Sequence, residues 1–189
     1  MIDAQPPQSS HWPMRACALR AGALWLLVGA LAACAPATAP PATQVRPALP
    51  AAQQMLAQVR AAGAHAPDSL EVQPLPDPAV ADLRQSAAQL EAHADYAGAA
   101  KVIAHALTIR PDSPELLQQA AELALVQHDW AHAGQWAQQS FERGPQVGSL
   151  CRRNWATLHF VAMAHADAVA TQAAVTAQAA CTQRPPPRY

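Results

Sequence analysis

The spacing of apolar residues predicts a helix that begins at Asp77-Pro78. Apolar side chains recur every three or four residues from there, which places them on one helical face; they are Val80, Leu83, Ala87, Leu90 and Ala94. Aspartate caps the free amides of a helix start, and proline is accommodated at the first helical position. A turn at 93–96 leads into a return helix over 97–109. Arg110-Pro111 ends that helix, because the residue before a proline avoids the helical conformation.

A second pair of helices follows with the same signals. Ser113-Pro114 restarts the pattern, and Asp129-Trp130 marks the next turn. We expect Gly144-Pro145 to stop the return helix, with the glycine as a left-handed cap. A third pair comes after a loop that is four residues longer, with its turn at Ala166-Asp167 and its last helix over 168–180. The apolar stripe of the central helix consists of Leu116, Leu117, Ala120, Ala121, Leu123 and Ala124.

The first two pairs align at an offset of 34 residues, which places Asp95-Tyr96 on Asp129-Trp130. A helix–turn–helix period of this length resembles the tetratricopeptide (TPR) family. The chain departs from the family pattern in two ways. The large aromatic residue of the first helix is absent, and Ala94 and His128 stand where the family has a glycine before the turn aspartate. The resemblance implies an all-α fold: a short α-solenoid of about three TPR-like repeats over residues 79–183.

The N-terminal region carries the features of an export signal. Arg15 and Arg20 precede an apolar run over 21–31, which is too short for a transmembrane helix of about 20 residues but suits the apolar region of a secretory signal. Leu31-Ala32-Ala33-Cys34 then resembles the lipobox of bacterial lipoproteins. The resemblance implies a signal peptide over 1–33, a lipid on Cys34 and, by the residue that follows, attachment to the outer membrane on its periplasmic face. A plain signal peptide or a buried helix is the alternative.

The segments that flank the repeats have the composition of linkers. Residues 34–78 are rich in proline and alanine, and we expect an extended, disordered tether there. Within it, Ala51 to Ala62 has helical spacing, so a short helix and a disordered segment remain equally open. Residues 184–189 are expected to form a disordered tail, and Met14 is a second candidate for the biological start.

Composition argues against several functions. The chain carries 12 Lys plus Arg against 13 Asp plus Glu, so electrostatic capture of nucleic acid is not expected. No nucleophile elbow, phosphate loop or Cys-x-x-Cys motif occurs, and we therefore expect no enzyme activity, no small-molecule substrate, no cofactor and no metal. His128 and His132 lie four residues apart, but the predicted turn at Asp129 separates them, which argues against a zinc pair.

The TPR resemblance implies a binding groove formed by the first helix of each unit. Its residues are Arg84, Ala88, Glu91, Glu115, Gln118, Glu122, Arg153, Ala156 and Phe160. The Lys, Asn and Arg set that clamps a terminal carboxylate in related adaptors is not assembled, and Glu122 is expected to repel such a ligand. A mixed polar and apolar groove fits a peptide or a partner helix better. The alternative is a groove that is merely solvated.

These features indicate a membrane-anchored periplasmic scaffold that contacts a protein or peptide partner in the cell envelope. One role is the assembly of outer-membrane proteins or pilus secretins. The other is the regulation of a cell-wall synthase or hydrolase on which the protein docks. An enzyme or a metal carrier would need a side-chain cluster that the sequence does not contain.

Two cysteines remain after removal of the signal and lipidation of Cys34. Cys151 and Cys181 lie at nearly equal sequence distances from the third turn, on helices expected to run antiparallel. In an oxidising compartment we expect them to form a disulfide that joins the open end of the last helix pair. Two buried free thiols are the alternative.

Overall fold

The computed structural model describes residues 48–64 and 77–182 of the 189-residue chain. This part of the chain forms seven helices and no strand. The helices are α1 (Ala52–Ala62), α2 (Pro78–Ala92), α3 (Tyr96–Ile109), α4 (Pro114–Val126), α5 (Trp130–Arg143), α6 (Gly148–Ala164) and α7 (Ala168–Ala180). None of these described helices is both long and apolar enough to cross a membrane. The predicted signal peptide, Cys34, most of the tether and the tail lie outside the described residues.

Helices α2–α7 form three consecutive antiparallel pairs that stack through α3 on α4 and α5 on α6. The predicted all-α TPR-like solenoid is therefore confirmed. Its core consists largely of alanine and leucine: Ala87, Ala99 and Ala106 are completely buried between α2 and α3, together with Ile103. Small side chains allow the helices of each pair to approach closely.

Local capping explains where the helices start. The carboxylate of Asp77 accepts a hydrogen bond from the amide of Ala79, and the Ser113 hydroxyl accepts one from Leu116. At each of the three turns an aspartate side chain accepts a hydrogen bond from the backbone amide three residues later. The pairs are Asp95 with Gly98, Asp129 with His132, and Asp167 with Ala170. The recurring turn aspartates are thus helix caps.

The residue before each turn aspartate adopts a left-handed backbone. Ala94, His128 and Ala166 have φ values of 59°, 61° and 55°. The TPR pattern has glycine there, and the structure keeps the backbone conformation without it. For residues other than glycine this conformation costs about 1–2 kcal/mol.

The expected left-handed cap at Gly144 was wrong. Gly144 is extended, with φ −101° and ψ −178°, because it precedes Pro145. Glycine is needed there for space, since a Cβ would lie 2.7 Å from the carbonyl oxygen of Ser140 and 3.0 Å from Cβ of Pro114. Among the glycines that the structure describes, Gly148 at the start of α6 has a positive φ, of 80°.

The last helix pair is closed by a covalent bond. Cys151 in the first turn of α6 and Cys181 at the end of α7 form a disulfide, with their Cα atoms 5.7 Å apart. The amide of Gly148 donates to the carbonyl of Cys181 at 2.9 Å beside it. The disulfide that the sequence predicts is thus present in the structure.

Candidate functional site

Helix α1 lies across the first helices of the second and third repeats. It packs against α4 and α6 and makes no comparable contact with α2, its neighbour in the described sequence. Met55, Leu56 and Val59 are buried, because they occupy one face of α1. The segment with helical spacing therefore forms a helix over residues 52–62 that is part of the folded unit, on the face where the TPR resemblance places the binding groove.

The apolar contact of α1 continues the core of the domain. Met55 and Val59 join a cluster with buried residues of α4, α5 and α6. Partly buried side chains, Trp130 among them, pack around this cluster. Its other buried members are Ala124, Leu125, Ala133, Ala156 and Phe160.

A buried carboxylate lies at the polar edge of this contact. Glu122 of α4 has a side chain with 0% exposure, and its two oxygens accept from both sides. Nε of Arg60 donates to Oε2 at 3.0 Å, and Nε of Arg153 donates to Oε1 at 2.8 Å. The amide of Gln118 also donates to Oε1, at 3.0 Å, and to the Thr157 hydroxyl at 2.9 Å. Two arginines from different elements thus neutralise one glutamate.

Arg60 connects this network to α2 as well, because its Nη2 forms an ion pair with Glu91. Burial alone would lower the pKa of the Arg60 guanidinium. The charge of Glu122 and the hydrogen bonds to Glu91 and Glu122 outweigh burial, so the pKa lies above its ordinary value. Arg60 is therefore a permanent cation between α2 and α4.

The C-terminal end of α1 is held by a second arginine. Nε of Arg152 donates to the carbonyl of Ala62 at 2.9 Å, and its Nη2 donates to the carbonyl of Ala64 at 3.1 Å. Carbonyls at a helix end have no partner within the helix, and a cation there is favourable. Arg152 therefore fixes the end of α1 on α6.

Beside α1 the repeat face remains open. A cavity of about 470 Å³, which we call the α1–α2 cleft, separates α1 from α2. In this cleft Nε of Arg84 donates to the amide oxygen of Gln119 at 3.3 Å, and Nε2 of Gln119 donates in turn to Oε1 of Glu91 at 3.3 Å. The cleft is lined by Leu56, Arg60, Arg84, Ala88, Glu91, Ala92, Tyr96, Gln119 and Arg153.

The structure divides the residues assigned to the groove into three places. Arg84, Glu91 and Arg153 line the α1–α2 cleft. Gln118, Glu122 and Phe160 are buried, in the network and the cluster that α1 contacts. Glu115 is separate from both: it accepts a hydrogen bond from the Ser113 hydroxyl at the start of α4.

The expectation that Glu122 repels an anionic ligand was wrong, because Arg60 and Arg153 pair with its carboxylate. Sequence reasoning did not find Arg60 or Arg152. Arg60 directly follows the apolar face of a short helical pattern, which was the only signal for it. Nothing in the sequence indicated which acidic residue it would meet.

The turn histidines make local contacts. His132 forms a hydrogen bond of 2.6 Å with Asp129, which together with the His132 amide lowers the pKa of that carboxyl. His128 contacts the edge of Trp130, and the His132 ring stacks on Trp136. Within residues 48–64 and 77–182 no three His, Cys, Asp or Glu side chains are grouped so that they could hold a metal ion.

The fold and the cleft together define an all-helical TPR-like domain whose repeat face is partly covered by its own α1. No protein-family model matches the chain, and no curated protein matches it. Among solved structures, the chain is similar to the globular C-terminal domain of P. aeruginosa LpoP, with 24% sequence identity and a TM-score of 0.49. The similarity covers 57% of this chain and 98% of the LpoP domain.

Proposed function

We propose that the protein is a lipid-anchored, non-enzymatic binding module of the cell envelope that contacts its partner through the α1–α2 cleft. The observation that supports this proposal is the cleft itself. It is an open part of the TPR-like repeat face, and it presents arginine, glutamate, glutamine and tyrosine side chains beside alanine. Mixed polar and apolar grooves of this kind suit a protein segment.

The size of the cleft favours regulation over assembly. Long solenoids bind extended partners along a continuous concave surface. Here α1 covers part of α4 and α6, and the cavity that remains beside α2 has about 470 Å³. A site of this size accommodates one segment of one partner. We therefore propose a regulator that docks on a single envelope enzyme, with a cell-wall synthase or hydrolase as the partner class.

Site-specific photo-crosslinking in cells tests this proposal. A photoreactive amino acid replaces Ala88, which is exposed in the cleft, and in a matched control it replaces Ala104, which is exposed on α3. We expect the Ala88 probe, and not the Ala104 probe, to form a covalent adduct with a synthase or hydrolase identified by mass spectrometry. An adduct with an outer-membrane assembly protein or a secretin would support the assembly role instead. Equal labelling from both positions would refute the cleft as the docking site.

The lipid anchor is part of the proposal and has its own test. Cys34 is the residue that would be acylated. We expect palmitate labelling of the wild-type protein and none of Cys34→Ser, which should also leave the membrane fraction or remain uncleaved. Labelling that survives the substitution would refute the lipoprotein assignment.

A further inference from the structure

Helix α1 presents a compact recognition pattern to the repeats. Met55 and Leu56 are adjacent, Val59 follows three residues after Leu56, and Arg60 comes directly after Val59. The first three side chains are buried and the fourth pairs with Glu122 and Glu91. An amphipathic helix that inserts apolar anchors at one-turn spacing into a groove is a recurring mode of peptide recognition.

Helix α1 depends on its contacts with the repeats, because its own sequence would not keep it helical in isolation. It has 11 residues and no side-chain cap at its N-terminus, whereas isolated helices shorter than about 12–15 residues are marginal in water. It packs mainly against α4 and α6, Arg60 pairs with Glu91 of α2, and Arg152 donates to the carbonyl of Ala62 at its end. The stability of α1 therefore depends on its contacts with the repeats.

The groove selects for the charge as well as the shape of its occupant. Glu122 is fully buried, and one of its oxygens accepts from Arg60 of α1 while the other accepts from Arg153. Glu91 pairs with the same guanidinium. An occupant without a cation at this position would leave one oxygen of a buried carboxylate without its charged partner, which is unfavourable.

We infer that α1 is an internal ligand of a helix-binding groove, and that the protein partner presents a helix of the same pattern, which displaces it. The pattern is two adjacent apolar residues, a third apolar residue three positions later, and an arginine directly after it. The inference rests on the proposed function, since it names the chemistry of the partner at the same repeat face. The groove would thus be closed to helices until α1 leaves, with the α1–α2 cleft as the place of first contact.

Peptide binding to the full-length protein in detergent tests the inference. The probe is a fluorescein-labelled peptide of residues 49–64, followed by fluorescence polarisation. In the release variant, Met55→Asp with Val59→Asp, two charges replace buried anchors. The control, Ala57→Asp with Ala61→Asp, places the same charges on the exposed face of α1.

We expect the release variant to bind the peptide at least tenfold more tightly than the wild type or the control, since a tethered α1 competes at an effective concentration on the order of millimolar. A peptide with Arg60→Glu should lose at least tenfold in affinity for the release variant. Equal binding by the release variant and the control, or no effect of Arg60→Glu, would overturn the inference.

A second measurement covers the case in which the release variant does not fold. A protease site inserted between Ala64 and Asp77 allows α1 to be cut from folded wild-type protein. We expect the labelled peptide to replace the cut fragment while the circular dichroism of α2–α7 is retained. A fragment that never exchanges, or repeats that unfold when it leaves, would show that α1 is a permanent part of the core and overturn the inference.

The outcomes also separate this inference from the proposed function. Peptide exchange without any crosslinked partner at Ala88 would leave the groove intact and remove the proposed envelope partner. A crosslinked partner without peptide exchange would support the proposed function and refute α1 as a displaceable ligand. A wild-type dimer in which two copies exchange α1 would make a second copy the occupant, and would overturn the assignment to a different protein.

Discussion

Replacement of Glu122 by glutamine tests the charge network that joins α1 to the repeats. The substitution conserves volume, so it creates no cavity, and it removes the negative charge from a side chain with 0% exposure. The carboxylate now accepts from Arg60, Arg153 and Gln118. The glutamine side chain has one acceptor oxygen, and its NH2 group would face these donors instead of the second carboxylate oxygen. Arg60 and Arg153 would then lie close together without an anion between them.

The expected loss of stability follows from the exposure of the partners. Removal of one member of a buried ion pair costs about 3–5 kcal/mol. The side chains of Arg60 and Arg153 are 42% and 27% exposed, so water recovers part of their solvation. Gln118 also retains the Thr157 hydroxyl as a partner. We therefore expect Glu122→Gln to cost about 2–3 kcal/mol, or about 6–15 °C in melting temperature for a domain of this size.

Thermal unfolding followed by circular dichroism measures this effect. The matched control is Glu142→Gln, because Glu142 is exposed on α5 and accepts a hydrogen bond from Gln138. We expect the control to change stability by less than about 0.5 kcal/mol. A melting temperature for Glu122→Gln that equals the control would refute the network as a stabilising contact between α1 and the repeats.

Three further predictions concern other parts of the domain. Ala94→Gly should raise stability by about 0.5–1 kcal/mol in denaturant unfolding, because relief of the left-handed strain exceeds the entropy that glycine adds to the unfolded chain; unchanged stability would contradict this. The hydrogen bond from Arg110 lowers the pKa of Asp77 below its ordinary value of 3.8. The ionised Asp77 therefore contributes its full stabilisation of the fold above pH 3.8, and this stabilisation is lost as pH falls through the lowered pKa. Asp77→Asn should flatten that part of the pH–stability curve. Loss of the disulfide in a variant with serine at Cys151 and Cys181 should cost about 3.5 kcal/mol for its 30-residue loop, measured by urea unfolding against wild type, and an equal midpoint would contradict this.

The features that depend on a few neighbouring residues were predictable from the sequence. The caps at Asp77 and Ser113 and the turn at Asp167 involve contacts within three residues along the chain, so the sequence contains both partners. The 34-residue period then implied how successive pairs stack. The pairing of Cys151 with Cys181 needed only the position of one turn between two antiparallel helices.

Only the tertiary structure decided how the groove is occupied. Helical spacing at 51–62 predicted no more than a helix or a disordered segment, since an amphipathic pattern does not say which surface will cover it. The ion pair of Arg60 with Glu122 joins residues 62 positions apart, and it neutralises the carboxylate that was expected to repel an anionic ligand. Gly144 shows the same limit in part, because a Cβ there would meet the nearby carbonyl oxygen of Ser140 and also Pro114, which is 30 positions away in the chain. Contacts over such separations depend on which surfaces meet once the repeats have stacked, and a local pattern in the sequence does not contain that information.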